Sequence, residues 1–307
     1  MNPCPQNHNH PSQNQSPNMS FPPLHILPPL SPNHTHTLIL LHGRGSTGPE
    51  FAEELLVLTG RTSTSSPSSP SPTLRSHIPT FRLVFPTAPT RYSATFEESF
   101  PAWFNVEGLS LTELERGREM QVLGLRECVR YLGGVVRGEV SMLAGRRDRV
   151  WVAGVSMGMA VGLWTVLKEG GGVGGFVGMC GWLPFAGGLE GVVTEGGKDA
   201  VMRVAGFIRD TLALDDDDDD GTIEQPDTET QTTSLLSTPI LLLHGTDDAF
   251  VDVELGRGAA RVLRQIGFDV ESKEYVGAEN EGHWVKEPEG FDDIVAFISK
   301  HASMPAS

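Results

Sequence analysis

The sequence predicts an α/β fold: a mostly parallel central sheet with helices on both faces. Three observations carry this. Apolar runs of strand length recur along the chain, stretches of helical periodicity separate them, and most runs are apolar throughout, as strands buried on both faces are.

In chain order, the runs are 37–41 (TLILL), 81–85 (FRLVF), 149–153 (RVWVA), 175–179 (GFVGM) and 239–243 (PILLL). Residues 270–275 alternate apolar and polar side chains, as an outer strand does. Helical patterns lie between them. In 253–266, Leu255, Ala259, Val262, Leu263 and Ile266 share one stripe, and near the C-terminus Phe291, Ile294, Val295 and Ile298 repeat that spacing. Strand and helix in alternation require crossover connections and hence a parallel sheet.

One domain is expected over 33–300. A Pro/Asn/His-rich stretch at 1–32 reads as a disordered tail, because it offers too little apolar surface to offset the entropy of ordering. Ser/Thr/Pro-rich residues at about 61–76 and an acidic, Thr-rich stretch at about 214–236 read as low-complexity insertions, and 301–307 as a second tail. His8, His10, His25, His34 and His36 are irregularly spaced and have no suitable cysteine partners, so a solvated tail is favoured over a metal site.

Composition narrows the function. The net charge of −16 argues against nucleic acid, whose phosphates would be repelled. No apolar run approaches the roughly 18 residues of a membrane span, and the N-terminus lacks a signal-peptide pattern, so no stable membrane insertion is expected. Cys4, Cys128 and Cys180 are few and odd in number, which fits a reducing compartment, cytoplasmic or also nuclear, rather than a disulfide framework. Oligomeric state is not legible.

In parallel sheets, chemistry collects beyond the carboxyl ends of the strands. Four runs end in unusual loops: 42–45 (HGRG), 154–158 (GVSMG), 180–182 (CGW) and 244–248 (HGTDD). The second matches G-x-S-x-G, a pattern that this composition produces by chance roughly 0.3 times. Context adds specificity. A strand run leads into the first Gly and a helical pattern follows, so a sharp strand-to-helix turn would lift the hydroxyl of Ser156 above the sheet.

A serine hydroxyl needs a base, and the base needs an orienting carboxylate. In this architecture the acid and then the histidine follow the serine. Downstream lie only His244, His283 and His301. His244 closes an apolar run and reads as a buried turn residue, and His301 lies in the tail. His283, in Gly282-His283-Trp284, is the expected base. For the acid, Asp252 reads as a helix N-cap or first-turn acid, while spacing leaves Asp247 and Asp248 open. The oxyanion would be bound by the backbone N–H of Met157, after the nucleophile, and by that of Arg44, in the loop after the first strong strand.

Five blocks in order, LILLHGRGSTG (38–48), FPTAPTRYSATFEESFPAWFNVEG (85–108), VAGVSMGMA (152–160), CGWLP (180–184) and the segment 241–284 ending in EGHW, resemble the acyl-protein thioesterase/small carboxylesterase (phospholipase–carboxylesterase) family of α/β-hydrolases. The resemblance implies that fold without a large lid domain, and no cofactor or metal. It implies hydrolysis of a small-molecule ester or an acylated protein through an acyl-enzyme, with acyl-protein thioesterase activity leading. A general short- or medium-chain carboxylesterase or lysophospholipase is the alternative. It favours Asp248 over Asp247, and it places Trp103, Trp182 and Leu183 beside the acyl chain. A non-catalytic acyl-binding protein is the competing reading outside the enzyme class, and a serine peptidase would usually carry a gating domain for which there is no room.

The chain departs from the family pattern at four places. Thr246 stands where an acid is common, Ala249 where a Pro is, Arg44 where a small or apolar residue is, and GAENEGH lengthens the turn before His283. These departures bear on substrate choice rather than on the chemistry.

Overall fold

The computed structural model describes residues 20–58, 72–106, 108, 118–194, 200–212 and 235–302. The elements run β1 (His25–Leu27), β2 (His36–Leu41), α1 (Gly48–Leu56), α2 (Leu74–His77), β3 (Phe81–Phe85), β4 (Thr90–Ser93), β5 (Glu98–Pro101) and α3 (Arg118–Met142). They continue β6 (Val150–Val155), α4 (Met157–Lys168), β7 (Gly175–Met179), α5 (Ala186–Thr194), α6 (Ala200–Leu212), β8 (Ile240–Gly245), α7 (Val253–Ile266), β9 (Val270–Tyr275) and α8 (Glu289–His301).

Seven strands form one sheet in the order β1-β3-β2-β6-β7-β8-β9. Every neighbouring pair is parallel except β1 with β3. β4 and β5 form a separate antiparallel hairpin. The fold is that of an α/β-hydrolase. All residues of β2, β6, β7 and β8 are buried, which is why their sequences are apolar without alternation.

Strand period 2 still divides those side chains between two cores. Ile39, Leu41, Val152 and Leu242 face α3, α4, α6 and α7, whereas Leu38, Leu40, Ala153, Val155, Leu241 and Leu243 face α1, α2 and α8. Helix α4 is buried from Met157 to Leu167, so it is apolar all round rather than on one stripe. It packs between the sheet and helices α3 and α6, and begins at the serine turn. At α7, Asp252 is the N-cap, accepting from the amide of Glu254, and Gly267 ends the helix at φ 114°.

The expected boundaries need correction at several points. The tail expected through residue 32 contains structure, since His25–Leu27 within it pairs with Phe85–Leu83 as an edge strand. The insertion expected through 76 ends earlier, because Leu74 is buried in helix α2. The one expected through 236 ends before the buried Leu235. At the C-terminus α8 reaches His301 and Ala302 is buried, so the chain is packed beyond 300. The rest of the tails and insertions, with His8, His10 and Cys4, lies outside the described residues. No described helix is long and apolar enough to cross a membrane.

Candidate active site

Ser156 occupies the single residue between β6 and α4, at φ 55° and ψ −120°. Such backbone is costly for a residue with a Cβ, on the order of 1–3 kcal/mol, and persists only where its surroundings enforce it. They do. A Cβ on Gly154 would collide with the carbonyl group of Gly158, and a Cβ on Gly158 would collide with the carbonyl of Leu41. Only glycine at both positions lets strand, turn and helix close this tightly. The Ser156 amide donates to the Met179 carbonyl at 2.8 Å, and its side chain makes no capping bond to the helix. The hydroxyl is therefore not consumed by local structure.

The loop after β2 lies against this turn. A Cβ on Gly43 would sit 3.5 Å from the Ser156 Cβ. The buried His42 sets the conformation of the loop. The Ala88 amide donates to His42 Nε2 at 3.0 Å, so the imidazole proton is on Nδ1, which donates to the Gly43 carbonyl at 2.6 Å. Burial lowers the His42 pKa to about 4, keeping this tautomer neutral. A peptide unit is planar and trans. Fixing the Gly43 carbonyl therefore also fixes the opposite-pointing N–H of Arg44. Among the described residues that N–H makes no backbone hydrogen bond. The Met157 amide opens α4 and has no acceptor within the helix.

The acid and base arrive on the loops after β8 and β9. His283 Nδ1 lies 2.7 Å from Asp248 Oδ2. The Asp248 side chain has no exposed surface, and its other oxygen, Oδ1, accepts from the amides of Phe250 and Val251 at 2.9 Å each. Burial alone would raise its pKa. Hydrogen bonds from His244, His283 and the Val251 amide outweigh it and hold the carboxylate well below its usual range. Asp247 points elsewhere, accepting from the Gly277 amide at 2.8 Å. The two adjacent acids are thus separated by direction, and Asp248 is the one that faces the imidazole.

Cys180 links this pair to the serine turn. It directly follows Met179, whose carbonyl receives the Ser156 amide, and its Sγ lies within 4.8 Å of ligand atoms of Asp248 and His283. Three metal-ligating side chains thus converge, but burial pushes the thiol up to about 12, and it donates toward the Trp284 carbonyl at 3.6 Å. Both carboxylate oxygens of Asp248 already accept hydrogen bonds. The trio fits a hydrogen-bonded acid–base pair better than a metal centre.

The residues expected beside an acyl chain are all buried. Trp103 has no exposed surface, and its Nε1 donates to the His42 carbonyl at 2.9 Å, which braces the loop beside Ser156. Trp182 and Leu183 are 2% and 3% exposed. Trp182 meets Phe104 edge-to-face at 6.1 Å, and its indole N–H has no hydrogen-bond partner among the described residues. The Arg44 guanidinium turns outward to the β4–β5 hairpin, 4.6 Å from the Phe96 ring centre and 5.8 Å from that of Phe100. The Gly45 amide ties the same loop to Pro101 at 2.9 Å.

Sequence reasoning did not assign His42, and it read His244 as a turn residue only. His244 Nε2 lies 2.9 Å from the Val251 carbonyl and 3.3 Å from Asp248 Oδ2. A signal was present in the chain. The tetrapeptide LLHG occurs at 40–43 and again at 242–245, each time where an apolar run ends.

A family model described as Phospholipase/Carboxylesterase matches residues 26–204. The chain is 24% identical over 275 residues to acyl-protein thioesterase 1 of Gibberella zeae, covering 89% of this chain and 93% of that protein. It is 26% identical over 255 residues to a probable carboxylesterase, SOBER1-like, of Arabidopsis thaliana, covering 82% of this chain and 74% of that protein. The crystal structure of Zea mays acyl-protein thioesterase 2 superposes with a TM-score of 0.58 at 21% identity, covering 91% of this chain and 98% of that one.

Proposed function

The chain belongs to the phospholipase/carboxylesterase family of α/β-hydrolases, and on that premise we propose that Ser156, His283 and Asp248 hydrolyse a carboxylic ester or thioester through an acyl-enzyme. Ser156 Oγ attacks the acyl carbonyl while His283 Nε2 takes its proton. Asp248 holds the Nδ1 proton and favours the imidazolium that forms. The N–H groups of Met157 and Arg44 receive the developing oxyanion. His283 then returns the proton to the leaving alcohol or thiol, activates a water against the acyl-enzyme, and restores the serine. The observation that carries this reading is the 2.7 Å contact between His283 Nδ1 and Asp248 Oδ2 on the loops beyond the strand ends.

Acyl-protein thioesterase activity is the leading form of the proposal, in line with the names of the similar proteins. Of the alternative, a general short- or medium-chain carboxylesterase or lysophospholipase, one observation favours the short- or medium-chain carboxylesterase. Trp103, Trp182 and Leu183 are packed in the apolar core, so a long acyl chain would have to part them. Two free, buried thiols, Cys128 and Cys180, fit action in a reducing compartment, the cytoplasm or nucleus.

Comparing kcat/KM for a palmitoylated peptide thioester and p-nitrophenyl acetate tests substrate class. A strong preference for the thioester supports the leading form, and a strong preference for the acetate supports the alternative. Wild-type protein that neither turns over either substrate nor reacts with a fluorophosphonate would instead be an acyl-binding protein.

A further inference from the structure

We infer that His244 is a positioning residue for the acid, holding the 248–251 turn so that Asp248 presents Oδ2 to His283; this rests on the reading of Ser156, His283 and Asp248 given above. His244 Nε2 faces two acceptors, the Val251 carbonyl at 2.9 Å and Asp248 Oδ2 at 3.3 Å, so it carries the ring's hydrogen.

The carboxylate is thereby surrounded. Oδ1 accepts from two backbone amides, Oδ2 accepts from His283 Nδ1, and His244 Nε2 approaches the same Oδ2 at 3.3 Å. A carboxylate without solvent exposure depends on such donors, because each one lost leaves a buried charge less compensated. Val251 is held from both sides, its N–H by Asp248 and its carbonyl by His244. The turn carrying the acid is therefore closed by His244 and cannot rotate independently of it. The imidazole has no room to retreat. A Cβ on Gly256 of α7 would collide with His244 Nδ1. Helix α7 thus presses the ring onto the turn.

A residue serving only to fill the core would satisfy its N–H with the Val251 carbonyl alone. The contact of His244 with the oxygen that also receives His283 points instead to alignment of the acid–base pair.

The test uses the full chain, with active sites titrated by a fluorophosphonate so that kcat refers to competent molecules. His244→Phe, which keeps a ring and removes the donor, should lower kcat on p-nitrophenyl acetate about tenfold or more while KM stays within about twofold. His244→Gln, which restores an N–H near the same point, should recover most of that loss. If His244→Phe does not fold, Gly256→Ala displaces the ring without removing it and should lower kcat in the same way. A His244→Phe enzyme within twofold of wild type, or a His244→Gln enzyme as slow as His244→Phe, would overturn the inference. Failure of the underlying reading is separately visible, as labelling that persists in Ser156→Ala.

Discussion

Asp248 Oδ2 receives both His283 Nδ1, at 2.7 Å, and His244 Nε2, at 3.3 Å, while its neighbour Asp247 turns to the Gly277 amide. Two adjacent carboxylates thus have different surroundings, and only Asp248 meets His283, the proposed base. Asp248→Asn should lower kcat by about 10³–10⁴, because an amide that donates to Nδ1 favours the wrong imidazole tautomer. Asp247→Asn should cost less than about tenfold. Steady-state hydrolysis of p-nitrophenyl acetate separates them, and equal losses would contradict the assignment.

The positive φ of Ser156 gives a stability prediction. Ser156→Gly and Ser156→Ala should both abolish turnover, but the glycine variant relieves the backbone and should be the more stable by about 1 kcal/mol. Thermal or urea denaturation reads the difference. Equal stabilities would mean that the turn is not strained.

A single tautomer of His42 ties down the loop proposed to carry the Arg44 oxyanion donor. His42→Phe leaves the Gly43 carbonyl without its donor, frees the Gly43–Arg44 peptide to rotate, and should lower kcat by about 10²–10³, the usual effect of losing one oxyanion donor. KM should change much less. A proportional rise in KM with kcat intact would show that the loop binds substrate rather than the transition state.

Arg44 lies over two rings of the β4–β5 hairpin, an attraction of about 0.5–1 kcal/mol at an exposed site. Arg44→Leu should change the ratio of kcat/KM between an anionic and an uncharged ester while leaving turnover of the uncharged ester within about threefold. Equal loss on both would refute a role in substrate choice.

Burial lowers both His36 and His42 to about 4, against about 6.5 in the unfolded chain. Below pH 6.5 the unfolded state binds protons that the native state refuses, so native stability falls as pH drops from 6.5 to 4 and levels off beneath that. Melting temperatures measured at pH 7, 5.5 and 4.5 should decline, and His36→Gln should flatten the decline. An unchanged slope in that variant would show that His36 does not contribute to the decline.

Much of this architecture was legible because its strands are buried on both faces. The runs at 81–85 and 175–179 coincide with β3 and β7, and the stripe at 253–266 with α7, since continuous apolarity and a clean 3.6-residue period leave little choice. Strand β1 was missed because three residues among prolines carry no pattern, and they are strand only by pairing with β3. The β4–β5 hairpin was missed because it stands off the sheet and its side chains are largely exposed or half-buried. At the site, the glycines around Ser156 announced the turn, whereas Asp247 and Asp248 have the same chemistry and differ only in direction. His244 was read as a turn residue because sequence does not reveal that the turn it closes carries the acid.

Hydrolysis through an acyl-enzyme requires that an acyl group pass through Ser156. The direct measurement is rapid acid quenching of the wild-type protein during hydrolysis of p-nitrophenyl octanoate, followed by peptide mass mapping. An octanoyl adduct is expected on the peptide containing Ser156, with neither adduct nor turnover in Ser156→Ala. An adduct on another residue, or undiminished hydrolysis by Ser156→Ala, would contradict it.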